Sequence, residues 1–172
     1  MGKGVIIQAS SRSDGDTNCI VTVLKKKTDF DVIDLNQKHI GHFDYKFKNK
    51  NDDFKPLFYE ITEKYNTIIF ATPIYWYTMS GLLKVFLDRI SDFLYDEKDI
   101  GRRLRKMKMG IVSSSNENMV FDGFAMPFEK SAEYLGMKYL GHLHTWIQKG
   151  IIPNEVMQSI EAYTNKKLLA NV

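Results

Sequence analysis

The chain has 172 residues, 44% hydrophobic and 26% charged, with a net charge of +3, which suits one ordinary domain spanning 1–172 with a buried core. So small a charge leaves no nucleic-acid footprint, and no stretch approaches membrane-spanning length. One cysteine, Cys19, excludes an intramolecular disulfide and a cysteine-rich metal site.

In chain order, Gly4-Val5-Ile6-Ile7-Gln8-Ala9 reads as a buried strand after a start too short in apolar residues for a signal peptide, so the protein is expected to be cytoplasmic. Ser10-Ser11-Arg12-Ser13-Asp14-Gly15-Asp16-Thr17-Asn18 follows, then a helix over roughly 18–26 in which Cys19 is expected to pack. A strand, a hydroxyl-rich loop and a helix start form a phosphate cradle, because free N–H groups and the positive dipole end face the anion. A plain turn explains the same composition equally well. Phe30 to Leu35 is a second strand whose alternation suggests an outer position in the sheet.

The segment 36–53 is long, polar and studded with aromatics. That length suits a functional or interface loop, and His39 and His42 are read as surface residues rather than metal ligands. Asp52 or Asp53 is expected to cap a helix over 54–64.

Thr67-Ile68-Ile69-Phe70-Ala71 is continuous and β-branched, as in a strand buried on both faces, and Pro73 is expected to end it. From Ser80, a candidate N-cap, the period becomes helical through Leu82, Leu83, Phe86, Leu87, Ile90 and Phe93, with Lys84, Asp88 and Asp92 on the polar face. Between strand and helix lie Tyr75, Trp76 and Tyr77, at the end of a buried strand where open α/β sheets bind ligands. A plug over the core or a dimer contact would use the same aromatics.

The basic run 102–108 reads as a solvated lead-in to a fourth strand, 107–113, which gives way to the polar loop Ser113-Ser114-Ser115-Asn116-Glu117-Asn118. A helix over 124–135 begins near Pro127 and ends on Gly136 as a left-handed cap. A fifth strand over 137–146 and a helix opened by Pro153 complete the chain. Five strands alternating with helices argue a parallel sheet covered on both faces, with right-handed crossovers.

Two segments carry a more specific signal. Pro73-Ile74-Tyr75-Trp76-Tyr77 with Ser80-Gly81 and Lys84-Val85-Phe86-Leu87-Asp88-Arg89 resembles the second signature of the NADPH-dependent FMN reductase family. Ser10, Ser11, Arg12, Gly15 and Thr17 resemble the first. Ala9 and Asp16 depart from that pattern, in which glycine and asparagine are usual.

The resemblance covers about 4–145. It implies a flavodoxin-like three-layer sandwich with a five-stranded parallel sheet of order 2-1-3-4-5, and FMN as cofactor with NAD(P)H as co-substrate. The electron acceptor would be a small molecule, and a homodimer is the common assembly. The implied contacts are Ser10, Ser11, Arg12, Asp16, Thr17 and Asn18 on the phosphate, Pro73, Ile74, Tyr75 and Trp76 on the ring, and Ser114, Ser115 and Asn116 on its other edge. No catalytic residue and no metal is implied. Histidines 142 and 144 read as strand-end residues before proton donors. Lys84, Asp88 and Arg89 read as structural despite lying in the signature. A flavodoxin-type electron carrier, or a flavin-binding module without catalysis, is the alternative.

Overall fold

A computed structural model describes residues 3–169. Five parallel strands, β1 (Gly4–Gln8), β2 (Asp31–Asp34), β3 (Thr67–Pro73), β4 (Lys108–Ser115) and β5 (Lys138–Trp146), form one sheet in the order β2-β1-β3-β4-β5. The helices are α1 (Asp16–Thr28), α2 (Phe54–Lys64), α3 (Gly81–Tyr95), the single turn α4 (Lys98–Gly101), α5 (Met126–Leu135) and α6 (Asn154–Tyr163), which runs into a π-helical turn, Thr164–Leu169. This is the flavodoxin-like arrangement.

Strand periodicity divides the core in two. Val5, Ile7, Ile68, Phe70, Met109 and Ile111 face α2, α3 and α5, where Phe54, Phe58, Phe86 and Phe93 stack among themselves. Ile6, Ile69, Ala71 and Val112 face α1 and α6 through Ile20, Leu24, Val156 and Ile160. The central strands are thus buried on both faces, as their unbroken apolar runs require. β2 lies at the edge, and all four of its residues are half-buried.

β3 ends at Pro73 as expected, its missing donor not needed at the last ladder position, and the N–H of Ile74 donates to the Ser114 carbonyl at 2.9 Å. Several other boundaries differ from expectation. β4 continues to Ser115 because β5 offers partners that far, pairing Ser114 with Thr145 and Ser115 with Trp146. α1 begins at Asp16 with Gly15 as N-cap, and its inward stripe of Thr17, Ile20, Val21 and Leu24 leaves Cys19 exposed rather than packed. α5 begins at Met126, with Phe124 in the preceding turn. Arg102–Lys106 forms a 3-10 turn on which Arg102 pairs with Asp99 and Arg103 with Glu63.

Asp92 is the largest correction on α3. It is buried, not on the polar face, and joins Arg89 and Asp52 in an ion cluster. Arg89, 1% exposed, donates to Asp52 Oδ2 at 2.5 Å and to Asp92 Oδ2 at 2.9 Å, and its remaining N–H groups reach the carbonyls of Gly41 and Asn49 at 3.0 and 3.2 Å. Asp53 is the N-cap residue of α2 but makes no side-chain cap bond, its carboxylate taking the N–H of His39 instead, while Asp52, one residue earlier, accepts from the N–H of Gly41 and of Phe54. One buried guanidinium therefore folds the 38–53 segment onto the helical layer. Lys84 and Asp88 pair on the exposed face at 2.6 Å. Among the described residues no helix is long and apolar enough to cross a membrane, and no cluster of histidine, cysteine and carboxylate side chains could hold a metal ion.

Candidate active site

Parallel strands end together, so the loops after β1, β3 and β4 meet at one edge of the sheet. The meeting is enforced by bonds between loops. The Ser11 hydroxyl lies 3.1 Å from the Tyr75 hydroxyl, and the Thr17 hydroxyl lies 2.8 Å from that of Ser114. Ser80, the N-cap of α3, accepts from the N–H of Leu83 and donates its own proton to the Ala9 carbonyl at 2.6 Å, which fastens the end of β1 to the start of α3. Gln8, buried at the end of β1, donates to the Ser13 carbonyl and holds the first loop from below.

The cleft so formed measures about 210 Å³ and is lined by Ser10, Arg12, Asp16, Thr17, Pro73, Ile74, Tyr75, Ser114, Ser115 and Asn116. Ten of the thirteen residues named from sequence therefore share one cavity. Ser11 borders it through Tyr75. Asn18 and Trp76 are not among its walls: the N–H of Asn18 is bonded to Gly15 within the first turn of α1, and Trp76 stands 91% exposed at the tip of a turn. A larger cavity of about 680 Å³, under the 45–50 loop between Lys55 and Tyr95, shares no residue with this cleft.

The first loop fits an anion. Gly15 caps α1 with no side-chain hydrogen bond, and the bonds to its carbonyl begin at Asn18, so the N–H groups of Asp16 and Thr17 keep their capacity for a ligand. The Arg12 guanidinium folds over the same turn, where a Cβ on Gly15 would come within 3.2 Å of it. Asp16 is the first helical residue and not the cap, so its carboxylate sits at the mouth of this cradle, where it favours the helix dipole and opposes a bound phosphate. The residues present thus fit a phosphate-bearing cofactor, with Asp16 as the one opposing charge.

The second loop is a two-residue hairpin. Tyr75 and Thr78 exchange backbone bonds at 2.9 and 3.1 Å around Trp76 and Tyr77, which have φ of 49° and 67°. Positive φ at both central residues is the type I′ pattern, which normally selects asparagine and glycine. Tyr77 packs edge-on against Phe121, their centroids 4.5 Å apart, joining this turn to the segment after β4.

Behind the third loop is a cluster that sequence reasoning left as two strand-end histidines. Buried Ser113 places its hydroxyl 2.7 Å from His142 Nε2 and 2.9 Å from His144 Nδ1, while His144 Nε2 lies 3.1 Å from the Glu117 carbonyl. Burial, with a lesser contribution from neighbouring His144, lowers the His142 pKa from 6.5 to about 4. Burial also lowers that of His144, against the raising effect of its bond to Glu117. Both imidazoles are therefore neutral near pH 7. The i, i+2 spacing of the histidines on β5 was the available signal, since it places both on one sheet face beside Ser113 of β4.

Residues 3–167 match the family profile described as "Flavodoxin-like fold". A relative from Bacillus subtilis named "Putative NAD(P)H-dependent FMN-containing oxidoreductase YwqN" is 26% identical over 170 residues, covering 93% of this chain and 92% of its own. Among solved structures, the Trp repressor binding protein of Bacillus subtilis superposes with a TM-score of 0.72 at 25% identity, over 96% of this chain and 97% of its own. General stress protein 14 of Treponema denticola, solved in complex with FMN, has the same fold, with a TM-score of 0.69 at 20% identity over 95% of this chain and 96% of its own. With the strand order, the three-loop cleft and a profile match over nearly its whole length, the chain belongs to the flavodoxin-like fold family.

Proposed function

We propose that the protein is an FMN-dependent NAD(P)H oxidoreductase that passes reducing equivalents to a small acceptor of the quinone, nitro, azo or free-flavin class. The observation that carries this reading is the single cleft shared by the phosphate-type loop at 10–17 and the ring-type loops at 73–75 and 114–116. The name of the Bacillus subtilis relative, matched over almost the whole of both chains, supports it.

In this reading Arg12 and the first N–H groups of α1 hold the phosphate, while Pro73 to Tyr75 and Ser114 to Asn116 flank the ring system. When bound, FMN would supply the hydride and electron chemistry. The chain's own part is to bind, orient and shield. The Ser11–Tyr75 contact fixes the Tyr75 ring beside the cleft, the Thr17–Ser114 contact sets the separation of the first and third loops, and the exposed faces of Trp76 and Tyr77 offer a platform for a flat substrate. Neither transfer requires a protein nucleophile.

Titration of the apoprotein with FMN, followed by anaerobic mixing with NADH or NADPH, tests the reading. Saturable binding and rapid bleaching of the flavin are expected. Binding followed by reduction only through a partner reductase would make the protein an electron carrier, and failure to bind FMN would overturn the reading altogether.

A further inference from the structure

The proton positions in the Ser113 cluster can be assigned by elimination. A backbone carbonyl only accepts, so His144 Nε2, 3.1 Å from the Glu117 oxygen, must carry the proton. Ser115 Oγ, 3.5 Å from the same nitrogen, agrees with this, because its own proton is committed to the Glu117 carbonyl at 2.7 Å. A neutral imidazole has one donor, so His144 Nδ1 accepts, and the Ser113 hydroxyl donates to it across 2.9 Å. The Ser113 oxygen then has only acceptor capacity for its other neighbour, and His142 Nε2 donates to it across 2.7 Å. The chain runs one way, from His142 through Ser113 and His144 to the carbonyl of Glu117.

That carbonyl closes the turn that begins with Ser115 and Asn116, two walls of the cleft. Backbone bonds hold the start of this segment, with Ile74 donating to Ser114 and Ile147 to Ser115. Beyond Ser115 the strand ladder stops, and the His144 contact is the tie from β5 to the turn itself. We propose that His144 is a positioning residue of the flavin site, whose Nε2–H, oriented through Ser113 by His142, fixes the 115–117 turn in the shape that binds the edge of the flavin ring. This rests on the flavin reading above, because the turn acts on the ligand only if the ligand lies in that cleft.

The geometry separates two near-isosteric substitutions. A glutamine amide reaches about as far as Nε2 and can donate to Glu117, whereas an asparagine amide reaches only as far as Nδ1 and meets Ser113 alone. His144→Gln should bind FMN within about threefold of wild type, and His144→Asn should bind about tenfold more weakly, as measured by fluorescence quenching on titration of the apoproteins. A residue that merely filled space would show no such split. Two-bond nitrogen–proton spectra of the wild-type apoprotein give a readout independent of flavin, and should show both imidazoles as Nε2–H tautomers. Equal affinities for the two variants, or a Nδ1–H tautomer at His144, would overturn the proposal while wild-type binding stands. Failure of wild type itself to bind FMN, beside the expected tautomers, would overturn the flavin reading and this role with it.

Discussion

The longest sequence signature in the chain has two halves that do opposite things. Pro73 to Thr78 reaches the cleft and ends in an exposed turn strained at Trp76 and Tyr77. Ser80 to Arg89 turns inward, with Ser80 capping α3 and Arg89 pairing with two buried carboxylates. A second hairpin of the same kind marks the strained half as unusual. Gln148 and Ile151 also exchange two backbone bonds around a pair with positive φ, but that pair is Lys149 and Gly150. Holding an ordinary residue in the left-handed region costs about 1–2 kcal/mol, and glycine avoids the cost. Asp29 and Phe47 bear that cost singly elsewhere, whereas the turn after β3 bears it at two adjacent bulky residues next to Tyr75, a wall of the cleft.

The largest expected effect lies in the inward half. Arg89→Ala would leave Asp52 and Asp92 buried without a counter-charge, so chemical denaturation should show a loss of about 3–5 kcal/mol. A loss below about 1 kcal/mol would mean that the cluster is not the clasp of the 38–53 segment.

Acid should separate this ion cluster from the neutral one behind the cleft. The folded-state pKa of His142 is depressed, so the unfolded chain takes up a proton first, and stability falls as pH drops from 6.5 towards about 4. At about 1.4 kcal/mol per pH unit, that interval amounts to about 3 kcal/mol. Asp52 responds later. Burial raises its pKa, but the bonds from Arg89, Gly41 and Phe54 outweigh burial and leave it below 3.8, so its contribution persists above the usual carboxylate range and is lost below it. Unfolding free energies measured from pH 7 to pH 3 should therefore decline in two stages, and the first should shrink in His142→Gln to the part that buried His144 contributes.

In the outward half, Trp76→Asn replaces a fully displayed indole with a residue that tolerates positive φ. It should raise stability by up to about 1 kcal/mol in thermal melts while slowing flavin reduction. Gly150→Ala is the counterpart. Nothing crowds its Cβ position, but φ of 78° should cost about 1 kcal/mol and leave flavin chemistry unchanged. A destabilised Trp76→Asn would remove strain as the distinction between the two turns.

On the phosphate side, Asp16→Asn removes a like charge without removing a cap, since Gly15 is the cap, and FMN binding should tighten severalfold at low salt and less at moderate salt. Weaker binding would mean that the carboxylate holds the loop in shape. The smallest effect belongs to Lys84→Ala. Its exposed pair with Asp88 is worth only a few tenths of a kcal/mol, so neither stability nor flavin reduction should change measurably.

Local chemistry determined much of this molecule before any tertiary contact formed. The apolar runs of β1 and β3, the cap at Ser80, the stop at Gly136 and the hydroxyl-rich loops all follow from periodicity and turn chemistry, which depend on neighbours in sequence. Strand alternation with helices then led to the sheet order, and the order brought the three loops to one edge. What depended on distant partners was not legible. Asp92 looked like a surface residue because helical period alone cannot see Arg89 taking up Asp52 from the other side. β4 reached Ser115 only because β5 supplied the ladder. Cys19 packed or not according to which face of α1 met the sheet. The proton chain through Ser113 required two histidines of one strand to meet a serine of another, with the carbonyl of Glu117 beyond them. A single hydrogen-bonding side chain has many possible partners along a sequence, and only the folded packing selects among them.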